Sequence, residues 1–184
     1  MEHTTNPVNA FIMECEKMII AQEENMNLKP ALMQNKKLNK KYNESVKQLR
    51  SDIKNNTDNC LNHAMKKHKN KKVADAYVKS HPETTIISYF KDDVNLQKKT
   101  HDAVQRSTND IKNNIYDHDE ISITQTFDEN VGFVKDLTTG KVEATPVVRM
   151  GIINEGTHEN PKLKIKSIYP LPIDKRRYTG DRED

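Results

Sequence analysis

The residue pattern changes at His81-Pro82, and this change constrains the fold more than any other feature of the chain. Before it, apolar residues recur at intervals of three and four, which predicts helices. After it, segments rich in β-branched and aromatic residues predict strands with one helix among them. We therefore predict an α+β fold, in which an N-terminal helical region is followed by a mostly antiparallel sheet.

Two helices are predicted in the first part. Asn6-Pro7 supplies a cap and a first-turn proline for one of them, and Pro30 opens the other. Apolar positions of the second helix keep a coiled-coil spacing for only two and a half heptads, which is too short to require oligomerisation. We expect a helical hairpin that folds on itself or against the next domain. The positions with this spacing are Tyr42, Val46, Leu49, Ile53, Asn56 and Cys60.

The second part is predicted to be a strand at Glu83 to Phe90, a helix capped by Asp92 or Asp93 and reaching Ile115, and then a four-stranded antiparallel meander. Pro146 implies that the third strand of the meander is an edge strand or is bulged at that point. In the last strand, simple alternation places four residues on one face, so that a hydroxyl pair ends an apolar stripe. These residues are Leu163, Ile165, Ser167 and Tyr169.

These patterns divide the 184 residues into three regions. We predict a helical region at 1–62, an α+β domain at 63–173 and a charged tail at 174–184. The tail, which reads DKRRYTGDRED, carries enough charge to be frayed or disordered.

Composition limits the classes of protein to which the chain can belong. Hydrophobic residues make up 34% and charged residues 31%, which is polar for a globular protein. The two cysteines, Cys15 and Cys60, predict buried thiols, with a bridge between them as the alternative. No apolar run is long enough for a membrane span, because Glu14, Glu16 and Lys17 break the run near the start. We expect a soluble chain, and export without a cleaved signal remains open.

The formal charge of +3 is unevenly distributed. The segment Asn62 to Lys72 contains five lysines and two histidines and no acidic residue. Such a block predicts either a solvated helix end or a surface for phosphate-rich partners.

Common catalytic and cofactor motifs are missing from the sequence. It contains no P-loop, GxGxxG, CxxC, HExxH or GxSxG pattern. Nucleotide hydrolysis, zinc chemistry and serine hydrolysis therefore have no support, and we predict neither a cofactor nor a metal.

An ordered set of segments remains between residues 63 and 172. A histidine in a basic stretch precedes an S-x-F segment, a helix, a Val-Gly strand, a Val-Val-Arg strand and a closing S-x-Y-P strand. The segments are His68 to Val78, Ser88-Tyr89-Phe90, Val94 to Ile115, Val131-Gly132-Phe133, Val147-Val148-Arg149 and Ser167-Ile168-Tyr169-Pro170.

This order resembles the bacterial RNase A-like toxin domain, the C-terminal nuclease of contact-dependent growth inhibition proteins and other polymorphic toxins. The family's closing strand ends T-x-Y-P, and Ser167 keeps the hydroxyl of its threonine. The family's arginine downstream of the histidine has no clear equivalent, since Tyr77 and Lys79 stand nearby and Lys79 preserves only the charge. The glycines before the family's histidine are missing, so the choice of His68 over His63 depends on the distance to Phe90.

The resemblance implies an RNase A-like fold without disulfides and an endoribonuclease that cleaves RNA, perhaps tRNA, by transesterification without a metal. Such chemistry needs a base, an acid, and positive charge or donors for the pentavalent phosphorane. We predict His68, Ser167 and Tyr169 as the catalytic residues. The predicted phosphate-binding or RNA-binding residues are Lys71, Lys72, Lys79, Arg149 and Lys166.

The implied partners are the RNA substrate and a cognate immunity protein, and a toxin of this kind would be delivered to the cytoplasm of a target bacterium. Two other functions fit the sequence. One is a basic nucleic-acid-binding or viral accessory protein without enzymatic activity. The other is a helical protein–protein interaction module that pairs through the heptad positions. The oligomeric state is left open.

Overall fold

The computed structural model describes Leu32 and residues 35–174 of the chain. The first predicted helix, Pro30, Cys15 and the tail beyond residue 174 lie outside these residues. The described helices, which we number in order, are α1 Lys36–Asn55, α2 Asn62–Lys67, α3 Lys71–Ser80, α4 Leu96–Arg106 and α5 Thr108–Asp117, with a 3-10 turn at Thr57–Asn59. The described strands are β1 Ile86–Phe90, β2 Glu120–Thr126, β3 Gly132–Asp136, β4 Val142–Thr145, β5 Val147–Asn154 and β6 Leu163–Leu171.

The strands form two three-stranded sheets, and every pairing is antiparallel. The first sheet has the order β1-β3-β4 and the second the order β2-β5-β6. The predicted α+β class, with a helix first and antiparallel sheets after it, is confirmed. The end of β6 also contacts β1 and β3 of the first sheet, and α2 contacts β6. The closing strand therefore lies where the two sheets meet.

The predicted four-stranded meander is wrong. β2 pairs with β5 rather than with the next strand β3, and the predicted third strand is divided at Pro146 into β4 and β5. Proline cannot donate a ladder hydrogen bond, and its carbonyl instead accepts from the Phe127 N–H at 2.9 Å. The chain thus passes from the first sheet to the second at Pro146.

Helix α1 begins with Asn35, whose side chain accepts from the Leu38 N–H, and ends at Asn55. Asn56 adopts the left-handed conformation with a φ of 49°, so the last two positions of the heptad pattern lie beyond the helix. The first four positions are buried in one large apolar cluster, which we call the main cluster or main core, together with residues of α5 and the second sheet. Of the two expected arrangements, α1 therefore folds against the rest of the chain.

The predicted helix from Asp92 or Asp93 to Ile115 is two helices in the structure. Asn95 caps α4 by accepting from the Lys98 N–H at 2.9 Å, so neither aspartate is the cap. The helix stops at Ser107, and α5 starts directly after it. Both helices bury apolar residues in the main cluster, and the periodicity continued across the break because both pack on the same core.

Cys60 is buried just after the 3-10 turn, and its Sγ lies 3.6 Å from the carbonyl oxygen of Asp52. The Sγ is 3.9 Å from the side-chain oxygen of Asn56. The buried position is what we predicted for this thiol.

Candidate active site

His68 stands at the junction of two helices instead of inside one. It is the C-cap of α2, and Asn70 caps α3 by accepting from the Val73 N–H at 3.0 Å. The His68 N–H donates to Ala64 O at 2.8 Å, and its carbonyl accepts from the Phe90 N–H at 2.8 Å. His68 therefore lies in the short break between α2 and α3, and its backbone carbonyl ties this break to the end of β1.

The imidazole of His68 is buried, with 4% of the residue exposed. Its Nδ1 lies 2.7 Å from the backbone oxygen of Ser88 and 3.3 Å from the Ser88 hydroxyl. Because a carbonyl oxygen can only accept, Nδ1 carries the hydrogen in this contact and Nε2 carries the lone pair. The first sheet thus fixes the ring and its tautomer.

Burial lowers the pKa of His68 to about 3. The hydrogen bond to the Ser88 carbonyl raises the pKa, but by less than burial lowers it. The positive charges of Lys67 and His63 lower the pKa further. The ring is therefore neutral near pH 7, and it can accept a proton at Nε2 when a negative charge arrives to stabilise it.

Tyr169 of β6 stacks on His68, although the two residues are far apart in the chain. The ring centroids are 5.3 Å apart and the planes differ by 26°. Tyr169 lies directly opposite Arg149 in the β5–β6 ladder, so the two side chains leave the same face of the second sheet. Of the predicted site, the structure therefore places Tyr169 against His68 and Arg149 across the ladder from Tyr169.

Ser167 shares the face of Tyr169, but the predicted stripe with Ile165 is wrong. Gly151 pairs with Ser167 while the next residue, Ile152, pairs with Ile165, so Lys166 is an extra, bulged residue. Ile165 consequently points into the main core, whereas Ser167 and Tyr169 face the other way. A Cβ on Gly151 would lie 2.7 Å from the Ser167 Oγ, so only glycine leaves room for this hydroxyl.

The predicted lysines are dispersed. Lys71, Lys72 and Lys79 belong to α3, which packs on the face of the first sheet that carries Ile87 and Tyr89. The Ser88 side chain points to the opposite face, where its hydroxyl lies 3.3 Å from the His68 Nδ1. The three lysines of α3 thus lie on the side of the first sheet away from the Ser88 contact.

Two of the predicted lysines carry carboxylate partners. Lys71 Nζ is 2.6 Å from Asp75 Oδ2, a contact that raises the pKa of the lysine and lowers that of the aspartate. Lys166 Nζ is 2.8 Å from Glu120 Oε1.

Two residues near His68 were not among the predicted site residues. Ser88 supplies the oxygen that orients the ring, and its signal in the sequence is a small polar residue inside the apolar strand IISYF. His63 places its ring centroid 5.4 Å from that of His68. His63 was visible in the basic block, but only folding shows that the rings of His63 in α2 and His68 at its C-cap lie side by side.

Within residues 35–174, no group of three or more His, Cys, Asp or Glu side chains is arranged to hold a metal ion. The helices of the described part are too short or too polar to cross a membrane.

Comparison with known proteins finds a solved structure that is similar to part of the chain. No protein family matches the chain, and no curated protein matches it. A crystal structure of the CdiA-CT/CdiI complex from Y. kristensenii 33638 matches 60% of this chain and 99% of the other chain, with 18% sequence identity and a TM-score of 0.48. Similarity at this level assigns neither a family nor an activity.

Proposed function

We propose that this chain is a toxin endoribonuclease that cleaves RNA by transesterification without a metal ion. One observation carries the proposal: a buried neutral histidine of fixed tautomer stacks on the tyrosine of a closing strand that also carries a serine and faces an arginine. These groups are of the kinds that phosphodiester cleavage requires.

The proposed reaction uses His68 as the general base. Nε2 takes the proton of a ribose 2′-hydroxyl, and the 2′-oxygen forms a bond to the adjacent phosphorus. The bond to the 5′-oxygen then breaks, and that oxygen takes a proton from water while His68 returns its proton to the solvent, so that the products are a 2′,3′-cyclic phosphate and a 5′-hydroxyl. Arg149 and the hydroxyls of Ser167 and Tyr169 stabilise the negative charge of the phosphorane.

The low pKa of His68 fits this role when the substrate is considered. A phosphate next to the ring favours the protonated form, because an opposite charge raises the pKa of a histidine. Substrate binding would therefore raise the pKa that burial lowers. Because kcat/KM reports the pKa of the free enzyme, it should begin to fall only at a pH well below the ordinary histidine pKa of about 6.5.

The heptad positions favour an enzyme or a binding protein over a coiled-coil interaction module. Val46, Leu49 and Ile53 are at most 1% exposed in the main cluster, so they are already used within the chain. As part of the proposal, a cognate immunity protein covers the face that carries His68 and Tyr169 and protects the cell that makes the toxin.

The test is incubation of the purified chain with total RNA in EDTA, followed by detection of cyclic phosphate ends. We expect cleavage by the wild type and at least a hundredfold loss in His68→Gln, since a general base contributes about 10²- to 10⁴-fold. Tyr169→Phe should lower the rate while keeping the stacked ring. The matched control is His118→Gln, which alters an exposed histidine at the end of α5.

Absence of cleavage by the wild type at micromolar concentration would refute the enzyme. RNA binding that weakens with salt, without turnover, would instead support the accessory-protein alternative. Equal activity of His68→Gln and His118→Gln would remove His68 from the site.

A further inference from the structure

A groove of about 470 Å³ lies between α2 and the second sheet, next to the candidate active site. Its polar lining includes His63 and Lys66 of α2, Lys164 and Lys166 of β6, and one acidic residue, Glu155. The size falls within the range of about 300–1,000 Å³ that is typical of pockets for small ligands. The groove can hold one nucleotide-sized group.

The groove continues the face that carries the candidate site. On β5, Ile153 lines the groove and lies two residues from Gly151, about 7 Å along the strand and on the same face. Gly151 is the partner of Ser167. On the helix side, His63 lines the groove and its ring lies 5.4 Å from that of His68. A strand of substrate leaving the His68–Tyr169 pair therefore meets the groove next.

The charge of the groove suits a phosphate. Lys164 pairs with Glu155 at 3.2 Å, and Lys166 with Glu120 at 2.8 Å, while their side chains are each 42% exposed. Exposed ion pairs of this kind contribute little, so an arriving phosphate can replace the carboxylates. Lys66 adds a third ammonium group in the last turn of α2.

One accessible apolar side chain completes the lining. Ile153 is partly exposed, whereas Ile165 and Cys60 border the groove but are buried in the main cluster. A ribose or a base can pack on such a surface while its phosphate contacts the lysines, whereas a free inorganic anion would use only the lysines. The combination favours a nucleotide of a longer strand.

We infer that this groove binds the nucleotide adjacent to the cleaved phosphodiester of a single-stranded RNA segment, so that the enzyme prefers substrates longer than a dinucleotide. The inference rests on the proposed function for its substrate class. It adds the direction in which the RNA runs, from the His68–Tyr169 pair towards Lys66 and Lys164.

The experiment compares two substrates with the same cleavable step, a dinucleotide and an oligonucleotide extended by three nucleotides on either side. The variant is Lys66→Gln/Lys164→Gln. The matched control, Lys40→Gln/Lys98→Gln, removes two lysines outside the groove, of which Lys40 also has a glutamate partner, Glu44, at 4.0 Å. The groove variant should lose about tenfold in kcat/KM on the oligonucleotide and less than twofold on the dinucleotide, and the control should lose neither.

Binding gives a readout that does not depend on turnover. An oligonucleotide with a 2′-deoxyribose at the cleavage position cannot react, and its affinity can be measured against salt concentration. The slope of log Kd against log salt should fall by about 0.7 for each phosphate contact that the groove variant loses.

The outcomes separate the two proposals. If the wild type cleaves no RNA, the proposed function fails. Binding of RNA in the groove would still be supported if the slope of log Kd against log salt falls in the groove variant and not in the control. If the wild type cleaves both substrates equally well, or the variant and control behave alike on RNA, the groove inference is wrong. An equal loss on both substrates would also overturn it, because the lysines would then act at the cleaved phosphate. If the groove variant binds polyglutamate more weakly than the wild type but keeps its affinity for RNA, the inference is also wrong, and the groove binds an acidic protein surface instead.

Discussion

Lowering the pH should destabilise this protein through His68. In the unfolded chain the imidazole takes up a proton near its ordinary pKa of about 6.5. In the folded chain burial holds the pKa at about 3, and the Nδ1 hydrogen is already donated to Ser88. Between these values the unfolded state binds more protons, so stability is full above about pH 6.5 and falls as the pH drops towards 3.

The magnitude follows from the two pKa values. At pH 5 the pH lies about 1.5 units below the pKa of the unfolded histidine, while the folded ring is still neutral. At 1.36 kcal/mol per pH unit, the free energy of unfolding should fall by about 2 kcal/mol. With a urea m-value of about 2 kcal/mol/M, the unfolding midpoint should move by about 1 M between pH 7.5 and pH 5.

The assay is urea unfolding followed by far-UV circular dichroism, with the wild type and His68→Gln measured at both pH values. The glutamine can still donate to the Ser88 carbonyl but cannot titrate, so it should lack the 2 kcal/mol that His68 contributes to the pH dependence. His118→Gln, at an exposed site, should keep the wild-type dependence. Parallel behaviour of the wild type and His68→Gln would refute the argument that burial keeps this ring neutral.

Three further changes test the packing around the site. Gly151→Ala should lower the free energy of unfolding in urea by about 1–3 kcal/mol, because the new Cβ would lie 2.7 Å from the Ser167 Oγ. Adding Ser167→Ala should recover most of this loss, since the next atom near the new Cβ is 3.6 Å away. Gly132→Ala should cost at least as much, and Pro170→Ala should not rescue it, because the backbone carbonyl of β1 also blocks the Cβ. Tyr169→Ala should cost about 3–5 kcal/mol and Tyr169→Phe much less, as only the former removes the buried ring.

Local patterns predicted most of the elements correctly. The strand at β1, the helical character of α1 and the strand-rich second half follow from propensity and periodicity, which depend on residues close together in the chain. The break at Ser107 escaped this reasoning, since α4 and α5 keep one apolar side across it. The cap at Asn95 was missed because Asp92 and Asp93 carry an equally strong capping signal.

The candidate site was only half visible in the sequence. Ser167 and Tyr169 could be named from the closing S-x-Y-P strand, and His68 from the resemblance to a toxin family. Ser88 stood out in the sequence as a polar residue inside an apolar strand, but its contact with Nδ1 could not be predicted, because the nearer acceptor is its backbone carbonyl. The lysines of α3 were grouped with His68 because they are neighbours in sequence, yet their helix packs on the other face of the first sheet from the Ser88 contact.

The α+β class and the polar ending of the last strand follow from the sequence alone, since secondary structure and alternation are encoded locally. The face on which that ending lies depends on how the strands pair. The bulge at Lys166 turns Ser167 and Tyr169 away from Ile165, and Gly151 across the ladder makes room for the turned hydroxyl. Register depends on the partner strand and on packing across the sheets, so the stack of Tyr169 on a histidine about a hundred residues earlier could be read only from the folded chain.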